Sequence, residues 1–392
     1  MSKVLFINGP AEGHINPTLG LTRELIHRGE EVVYFATEEF RSKIEKTGAT
    51  FCSYENFIKH LAPNKPGFKL LNLIQVLLRS ATVVIPAVME KNKGETFDYI
   101  IHDSMFGNGA IIAKILGLPS VSSITSFART GLPKIPPERF GSEELCAETE
   151  TLARDIAQQF GVPVPRLDEI FFNRGDLNIV YTSKLFQPQS ECFGEDFVFC
   201  GPSIIDRQDD LDFPFAELEN IKVIYISLGT VVNDNMDFYH TCFDAFRDFD
   251  GKVVLSVGKR IDISHLRDIP ANFIVKPYVP QLEVLKRANL FITHGGMNST
   301  SEALYYHVPL VVIPQSSDQP YVARRVSELG AGVAIFDSPV TSEVLRDAAY
   351  RVLNNSSYQR SSAAIGESFK ASGGYKHAVD KIFEFKRLHN IP

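Results

Sequence analysis

Two short stretches carry residue types suited to chemistry. The first is GPAEGHINP, where His14 follows a glycine just beyond the apolar run Val4-Leu5-Phe6-Ile7. A histidine with an ordinary pKa of ~6.5 can take a proton near neutrality. A carboxylate on its far nitrogen fixes the tautomer and stabilises the imidazolium that forms. Asp103, closing the run Asp98-Tyr99-Ile100-Ile101-His102, is a candidate for that carboxylate. His102 is the rival histidine, but consecutive strand residues point to opposite faces, so it should turn away from Asp103. A loop histidine bonded only to backbone is the plainer alternative. The second stretch is THGGMNS, residues 293–299, directly after Leu290-Phe291-Ile292. Glycines let the backbone approach closely, and the N–H groups of a helix starting there would face an anion. A tight strand-to-helix turn without a ligand reads the same way.

For His14 to reach Asp103, the strands that carry them must be neighbours. Short apolar runs alternate with helical patterns along the chain, as in parallel α/β sheets. Val4–Ile7 leads into an amphipathic stretch from about Pro17 to Arg28, with proline expected in the first helical turn. Strand two follows at Glu31–Ala36, and Asp98–Asp103 leads into a Gly-rich helix start at Phe106-Gly107-Asn108-Gly109. If these are strands one and four of a doubly wound sheet, the common strand order places them side by side. The second half repeats the pattern: Lys222–Ile226 ends in Ser227-Leu228-Gly229-Thr230, and the chain returns through a helix near Phe238–Phe246 to Lys252–Leu255. The polar stretch around Asp206–Asp212 and Pro214 suits a linker. The reading is therefore an N-terminal domain over 1–203, a linker over 204–220 and a C-terminal domain over 221–372. A terminal helix over 373–392 is expected to return to the first domain. Both domains are expected to be Rossmann-like and to face a central crevice that takes ligands.

Composition narrows the function further. With 392 residues, 44% hydrophobic, the chain can build two cores. Its net charge of −7 without blocks of like charge disfavours nucleic acid and anionic membrane surfaces as partners. Five scattered cysteines without a C-x-x-C pair argue against a disulfide framework and a zinc site, and fit a reducing cytoplasm. The start MSKVLFINGP has an apolar run too short for a signal segment, and no run of ~18 uninterrupted apolar residues is present. A soluble, unanchored, cytoplasmic monomer is expected. The D-x-D at Asp210-Leu211-Asp212 sits in the linker and reads as solvated charge rather than a metal site.

From Tyr278 the chain reads YVPQLEVLKRANLFITHGGMNSTSEALYYHVPLVVIPQSSDQ, with 38 residues from Gln281 to Gln319. Together with GHINPT and the Ser-Leu-Gly-Thr turn, it resembles the UDP-dependent glycosyltransferases, in particular the bacterial macrolide-glycosyltransferase-like branch of Bacillus type. The resemblance implies an α/β GT-B fold and inverting, metal-independent transfer of a sugar from UDP to a small acceptor. It makes His14 the general base and Asp103 its partner. Tyr278 stands where many members stack a tryptophan on uracil, and Val279 and Gln281 would contact the base and ribose. His294, Gly296, Asn298 and Ser299 would hold the diphosphate, Glu302 the ribose hydroxyls, and Asp318 and Gln319 the sugar. Ser227, Gly229 and Thr230 would line the donor from the opposite turn. Met297 departs from the tryptophan of plant members, and His307 stands where glycine is common.

The implied mechanism has His14 deprotonate the acceptor hydroxyl as it attacks the anomeric carbon through an oxocarbenium-like transition state. Helix N–H groups, with His294 and Thr230, would stabilise the departing UDP. UDP-sugar is then a co-substrate and no separate cofactor is needed, and the resemblance implies glucose as the hexose, since a terminal glutamine such as Gln319 commonly accompanies glucose in the family and its amide can donate and accept at once. Phe106 and Phe127 are candidate walls for an apolar or phenolic acceptor, flavonoid- or macrolide-like, and Thr125 and Ser126 are candidates for the phosphate side. Two alternatives remain open on sequence: a nucleotide-sugar epimerase on the same fold, which needs no acceptor base, and a non-catalytic nucleotide-sugar-binding protein.

Overall fold

The computed structural model describes residues 1–58, 69–106, 108–131, 140–205, 212–229, 233–316 and 318–392. They form two α/β units: Met1–Tyr181 with Gln189–Ser203 and Gly373–Pro392, and Thr182–Pro188 with Ile204–Ser372.

The first unit is built on seven parallel strands: β1 (Lys3–Ile7), β2 (Glu31–Ala36), β3 (Thr50–Ser53), β4 (Tyr99–Asp103), β5 (Ser120–Ile124), β6 (Leu177–Val180) and β7 (Phe197–Phe199). Their order is β3-β2-β1-β4-β5-β6-β7. Helices cover both faces of such a sheet, so its central strands are continuous apolar runs, and β4 is buried throughout. The winding reverses between β1 and β4, and open α/β sheets bind ligands beyond the strand ends at that point. Ile7 pairs with His102, which brings Asp103 level with the loop after β1.

The helix after β1 spans Glu12–His27, so Pro17 lies inside it rather than in its first turn. Ala11 is the extended cap, and its carbonyl accepts from the N–H groups of His14 and Ile15 at 3.0 Å each, closing the first turn ahead of the proline. His14 therefore sits in that first turn. Helices Leu70–Arg79 and Ala81–Asn92 form a stretch long and apolar enough by composition to cross a membrane. Asn72, Gln75, Arg79 and Ser80 interrupt it, which is why a count of uninterrupted apolar residues passes over it. Leu71, Ile74, Leu77, Leu78, Ala81, Val84, Ile85 and Val88 from these helices are buried in the core of the unit.

The terminal helix Gly374–Leu388 buries Val379, Ile382 and Phe385 in the cluster that holds Leu21 and Leu25 of the helix Glu12–His27. Lys386 and Glu30 form a buried ion pair there, with side chains 6% and 2% exposed, and the Tyr99 hydroxyl donates to the same carboxylate at 3.1 Å. Removing either charge would strand the other in the core, at about 3–5 kcal/mol.

The second unit repeats the plan with six parallel strands: β8 (Val223–Ser227), β9 (Lys252–Ser256), β10 (Phe273–Lys276), β11 (Leu290–Thr293), β12 (Leu310–Val312) and β13 (Gly332–Ala334). The order β10-β9-β8-β11-β12-β13 places its switch point between β8 and β11. Thr182–Pro188, within the first domain on sequence, belongs to this unit. Phe186 meets Phe369 edge-on at 5.6 Å, Arg325 donates to the carbonyls of Phe186 and Leu185 at 2.9 and 2.7 Å, and Ser183 bonds Ser368 at 2.8 Å. Of the expected linker, residues 206–211 lie outside the described residues. The part that follows is tucked onto the second unit, with Phe213 and Leu218 buried and Arg287 over the Phe215 ring at 4.9 Å.

Candidate active site

In the first unit, the loop after β1 is organised by buried Asn8. Its amide nitrogen donates to the His14 carbonyl at 2.9 Å and to the Tyr34 hydroxyl at 2.9 Å, and its oxygen accepts from Gly9 N–H at 3.0 Å. The Tyr54 hydroxyl donates to the Asn8 carbonyl. This net aims His14 at Asp103: Nδ1 lies 2.7 Å from Asp103 Oδ2. Asp103 is 1% exposed and accepts from Met105 N–H at 2.7 Å and from Gly9 N–H at 3.4 Å. A carboxylate held this way takes the Nδ1 proton, so the basic lone pair of the ring belongs to Nε2. His102 turns to the other face, where a Cβ on Gly109 would fall 2.1 Å from its own, and burial pushes its pKa down.

Phe106 meets the His14 ring edge-on at 5.2 Å, and Phe57 meets Phe106 at 5.7 Å. Phe106 lies directly over Gly9, where an added Cβ would stand 1.6 Å from a ring carbon. Of the two candidate wall residues, Phe106 is half-buried beside His14, whereas Phe127 is 4% exposed and interior. Thr125 is placed on the base: its hydroxyl lies 3.2 Å from His14 Nδ1. The sequence assigns it to the phosphate side, because nothing in its neighbours shows that the end of β5 reaches His14. Ser126 next to it is half-buried.

In the second unit, β11 delivers His294, Gly295 and Gly296 to the start of helix Met297–Tyr305. Gly295 has φ +83°, and a Cβ there would meet Val312 at 2.6 Å. The His294 imidazole fills the space that side chains on Gly229 and Gly296 would need, with virtual Cβ distances of 2.6 and 2.5 Å. Burial lowers its pKa to about 4, against the opposing pull of Asp318 and the Ser227 carbonyl. His294 is therefore a neutral hydrogen-bonding group at pH 7, not a cation. Asn298 and Ser299 lie in the first helical turn, whose N–H groups have no partner within the helix.

Gln281 links three neighbours: its oxygen accepts from Tyr225 at 3.1 Å, and its nitrogen donates to Glu302 and, at 3.4 Å, to Ser299. Glu302 and Val279 are buried, while Tyr278 is 45% exposed. Gly229 N–H donates to the Ser227 hydroxyl at 3.3 Å. Thr230 lies outside the described residues. Asp318 and Gln319 open the helix Gln319–Glu328. The Gln319 oxygen already accepts from Gln315 and Ser316 N–H at 2.8 and 3.0 Å, so its amide offers donors only. That corrects the expectation that it donates and accepts at once.

Met297 is buried. His307 has φ +65° and its Nε2 lies 2.8 Å from Glu367, which directs it to the helix Ser356–Ala371. Sequence reading missed Asn8, Tyr225 and Asn233. The last is 3% exposed and donates to the Gly229 carbonyl at 2.9 Å. An asparagine directly after an apolar strand run was a usable signal for Asn8, while Tyr225 and Asn233 had none.

Comparison with known proteins identifies the family and the fold. The C-terminal domain of the erythromycin biosynthesis protein CIII-like family matches residues 240–384. The uncharacterized UDP-glucosyltransferases YojK and YdhE of Bacillus subtilis (strain 168) are 42% and 39% identical, covering 98% and 100% of this chain and 97% and 100% of their own lengths. The crystal structure of CalG4, the calicheamicin glycosyltransferase, superimposes with a TM-score of 0.86 at 26% identity, over 98% of each chain. The two parallel-sheet units are those of the GT-B fold, and the chain belongs to the UDP-dependent glycosyltransferases, in their macrolide-glycosyltransferase-like branch.

Proposed function

We propose that this enzyme transfers glucose from UDP-glucose to a hydroxyl of a small, largely apolar or phenolic acceptor, with inversion at the anomeric carbon. The observation that supports it most is the His14–Asp103 pair, because binding a nucleotide sugar does not call for an oriented base and an epimerase has no acceptor hydroxyl to deprotonate. The acceptor O–H gives its proton to His14 Nε2 as its oxygen bonds to the anomeric carbon. The bond from that carbon to the UDP oxygen breaks on the opposite face. Asp103 stabilises the imidazolium. The charge growing on UDP falls to the N–H groups of Asn298 and Ser299 and to neutral His294, a donor set that serves without a metal ion.

Tyr278 stacks on uracil, Gln281 and Glu302 hold the ribose, Asp318 accepts from a sugar hydroxyl and Gln319 donates to its neighbour. The relatives YojK and YdhE carry the name UDP-glucosyltransferase, which supports glucose, and the CalG4 title supports a bulky natural-product aglycone. The Phe106–Phe57 wall beside His14 favours an apolar or aromatic acceptor. UDP release from UDP-glucose, measured with and without a phenolic acceptor and after EDTA, tests the reading. Acceptor-dependent release that survives EDTA, with a β-glucoside as product, is expected. Acceptor-independent conversion of the sugar or an α-glucoside would overturn it.

A further inference from the structure

The helical face of the first unit contains a cavity of about 320 Å3 whose lining includes neither His14 nor Asp103. It lies among the helices Leu70–Arg79, Asn108–Leu116 and Leu167–Phe171. Its floor is apolar, with Leu77, Leu78, Ile111 and Ile170 all buried, and its size suits a small organic ligand. Its charged wall is lopsided. Among the described residues of the wall, Lys114, Arg129, Arg166 and Arg174 stand with Asp168 and Glu169, two more positive than negative charges, in a chain whose net charge is −7.

The carboxylates are committed within the wall. Arg166 grips Asp168 through Nε and Nη2 at 3.0 and 2.8 Å, and its backbone N–H donates to Glu169 at 3.0 Å. Arg174 donates to the Arg129 carbonyl at 3.2 Å, which brings two arginines to one corner, and the Arg129 guanidinium lies 5.7 Å over the Phe172 ring. We propose that this cavity binds an amphipathic carboxylate, its apolar body on the leucine and isoleucine floor and its charge at Lys114 and Arg174 of the wall. A compact polyanion would leave the floor uncovered and meet Glu169, and an amphipathic cation would meet the excess positive charge.

The same chemistry has two possible sources. Leu77, Leu78 and Ile170 share an apolar cluster with Phe106, whose ring edge meets His14. The carboxylate is therefore either a distal part of the acceptor or a separate effector next to the wall of the base. Binding itself does not rest on the glycosyl-transfer reading.

Calorimetric titration of the full chain with octanoate, octylamine, octan-1-ol and inorganic phosphate at one ionic strength tests the proposal. Octanoate should bind about tenfold tighter than each of the others. The double variant Lys114→Gln/Arg174→Gln should weaken octanoate about fivefold. Ala110→Phe, which fills the cavity, should abolish octanoate binding, and circular dichroism with thermal unfolding transitions like those of the wild type shows that both variants are folded. Octanoate binding no tighter than octylamine, phosphate matching octanoate, or binding unaltered in both folded variants would overturn the site. In the transfer assay with a carboxylate-bearing phenolic acceptor, octanoate that raises the acceptor KM at constant kcat assigns the site to the acceptor's own carboxylate. A change in kcat at saturating acceptor assigns it to an effector. Loss of transfer with octanoate binding intact would overturn the catalytic reading alone.

Discussion

Nδ1 of His14 lies 2.7 Å from Oδ2 of Asp103 across 89 residues of chain, and Thr125 reaches the same nitrogen from a third strand end at 3.2 Å. Three strand ends, β1, β4 and β5, thus converge on one imidazole. Its tautomer follows from this contact, since the carboxylate takes the Nδ1 proton. His14→Ala should lower kcat about 100-fold or more while UDP affinity stays within about twofold, because His14 belongs to the first unit and the residues proposed to hold the nucleotide to the second. Asp103→Asn keeps the buried shape and loses the charge, so kcat should fall strongly with little change in KM. Steady-state kinetics with UDP titration checks both, and near-normal turnover in either variant would remove the pair from the mechanism.

Half-buried His294, enclosed by neighbouring backbone, makes stability fall on acidification. Its folded pKa of about 4 lies below its ordinary value near 6.5, so between those values the unfolded chain binds a proton that the folded chain excludes. Stability from this group is complete above pH 6.5 and is lost as pH falls, by up to about 1.4 kcal/mol per pH unit. His102, whose pKa burial also lowers, adds to the same trend. Urea unfolding of wild type and His294→Gln between pH 7 and 5 should show a shallower slope in the variant. Equal slopes would mean that His294 is charged when folded.

Gln319 offers a clean separation of scaffold from recognition. Its oxygen holds the turn through Gln315 and Ser316, so Gln319→Glu preserves an acceptor for both N–H groups and deletes only the amide donor. One lost hydrogen bond to the sugar should reduce kcat/KM for UDP-glucose about tenfold. UDP alone should bind both forms equally. If the two forms transfer glucose equally well, Gln319 serves the turn and not the sugar. UDP-galactose, with its axial 4-hydroxyl, should be the poorer donor when both are supplied at equal concentration.

His307 occupies a left-handed backbone position, at φ +65°, that costs a residue with a Cβ. Its contacts with Glu367 and Lys370 are on the surface and return little. His307→Gly should therefore raise stability by about 1 kcal/mol, with unchanged kcat, as read by thermal or urea unfolding. A destabilised variant would show that the surface pair outweighs the backbone strain.

The strands were legible in the sequence because a parallel strand buried on both faces is a continuous apolar run, as at Leu5–Ile7, Ile224–Ile226 and Leu290–Ile292. The meeting of His14 with Asp103 was legible as a consequence of strand order, since only a neighbouring β1 and β4 brings those two ends together. The glycines at 295 and 296 announced a close approach, and the span from Tyr278 to Gln319 identified the family. What stayed hidden depends on groups that are distant along the chain and adjacent in space. The neutrality of His294 follows from its enclosure by Gly229 and Gly296, on either side of the β8–β11 contact. The Gln319 oxygen is spent because its helix starts where the 315–316 turn presents two N–H groups, and Thr125 joins the base because β5 ends beside β4. Residue types and their spacing determined which groups are available for chemistry. Tertiary structure alone decided which lone pairs and protons are already taken, because a hydrogen bond is satisfied by whichever partner folding brings within 3 Å or so, whatever its place in the sequence.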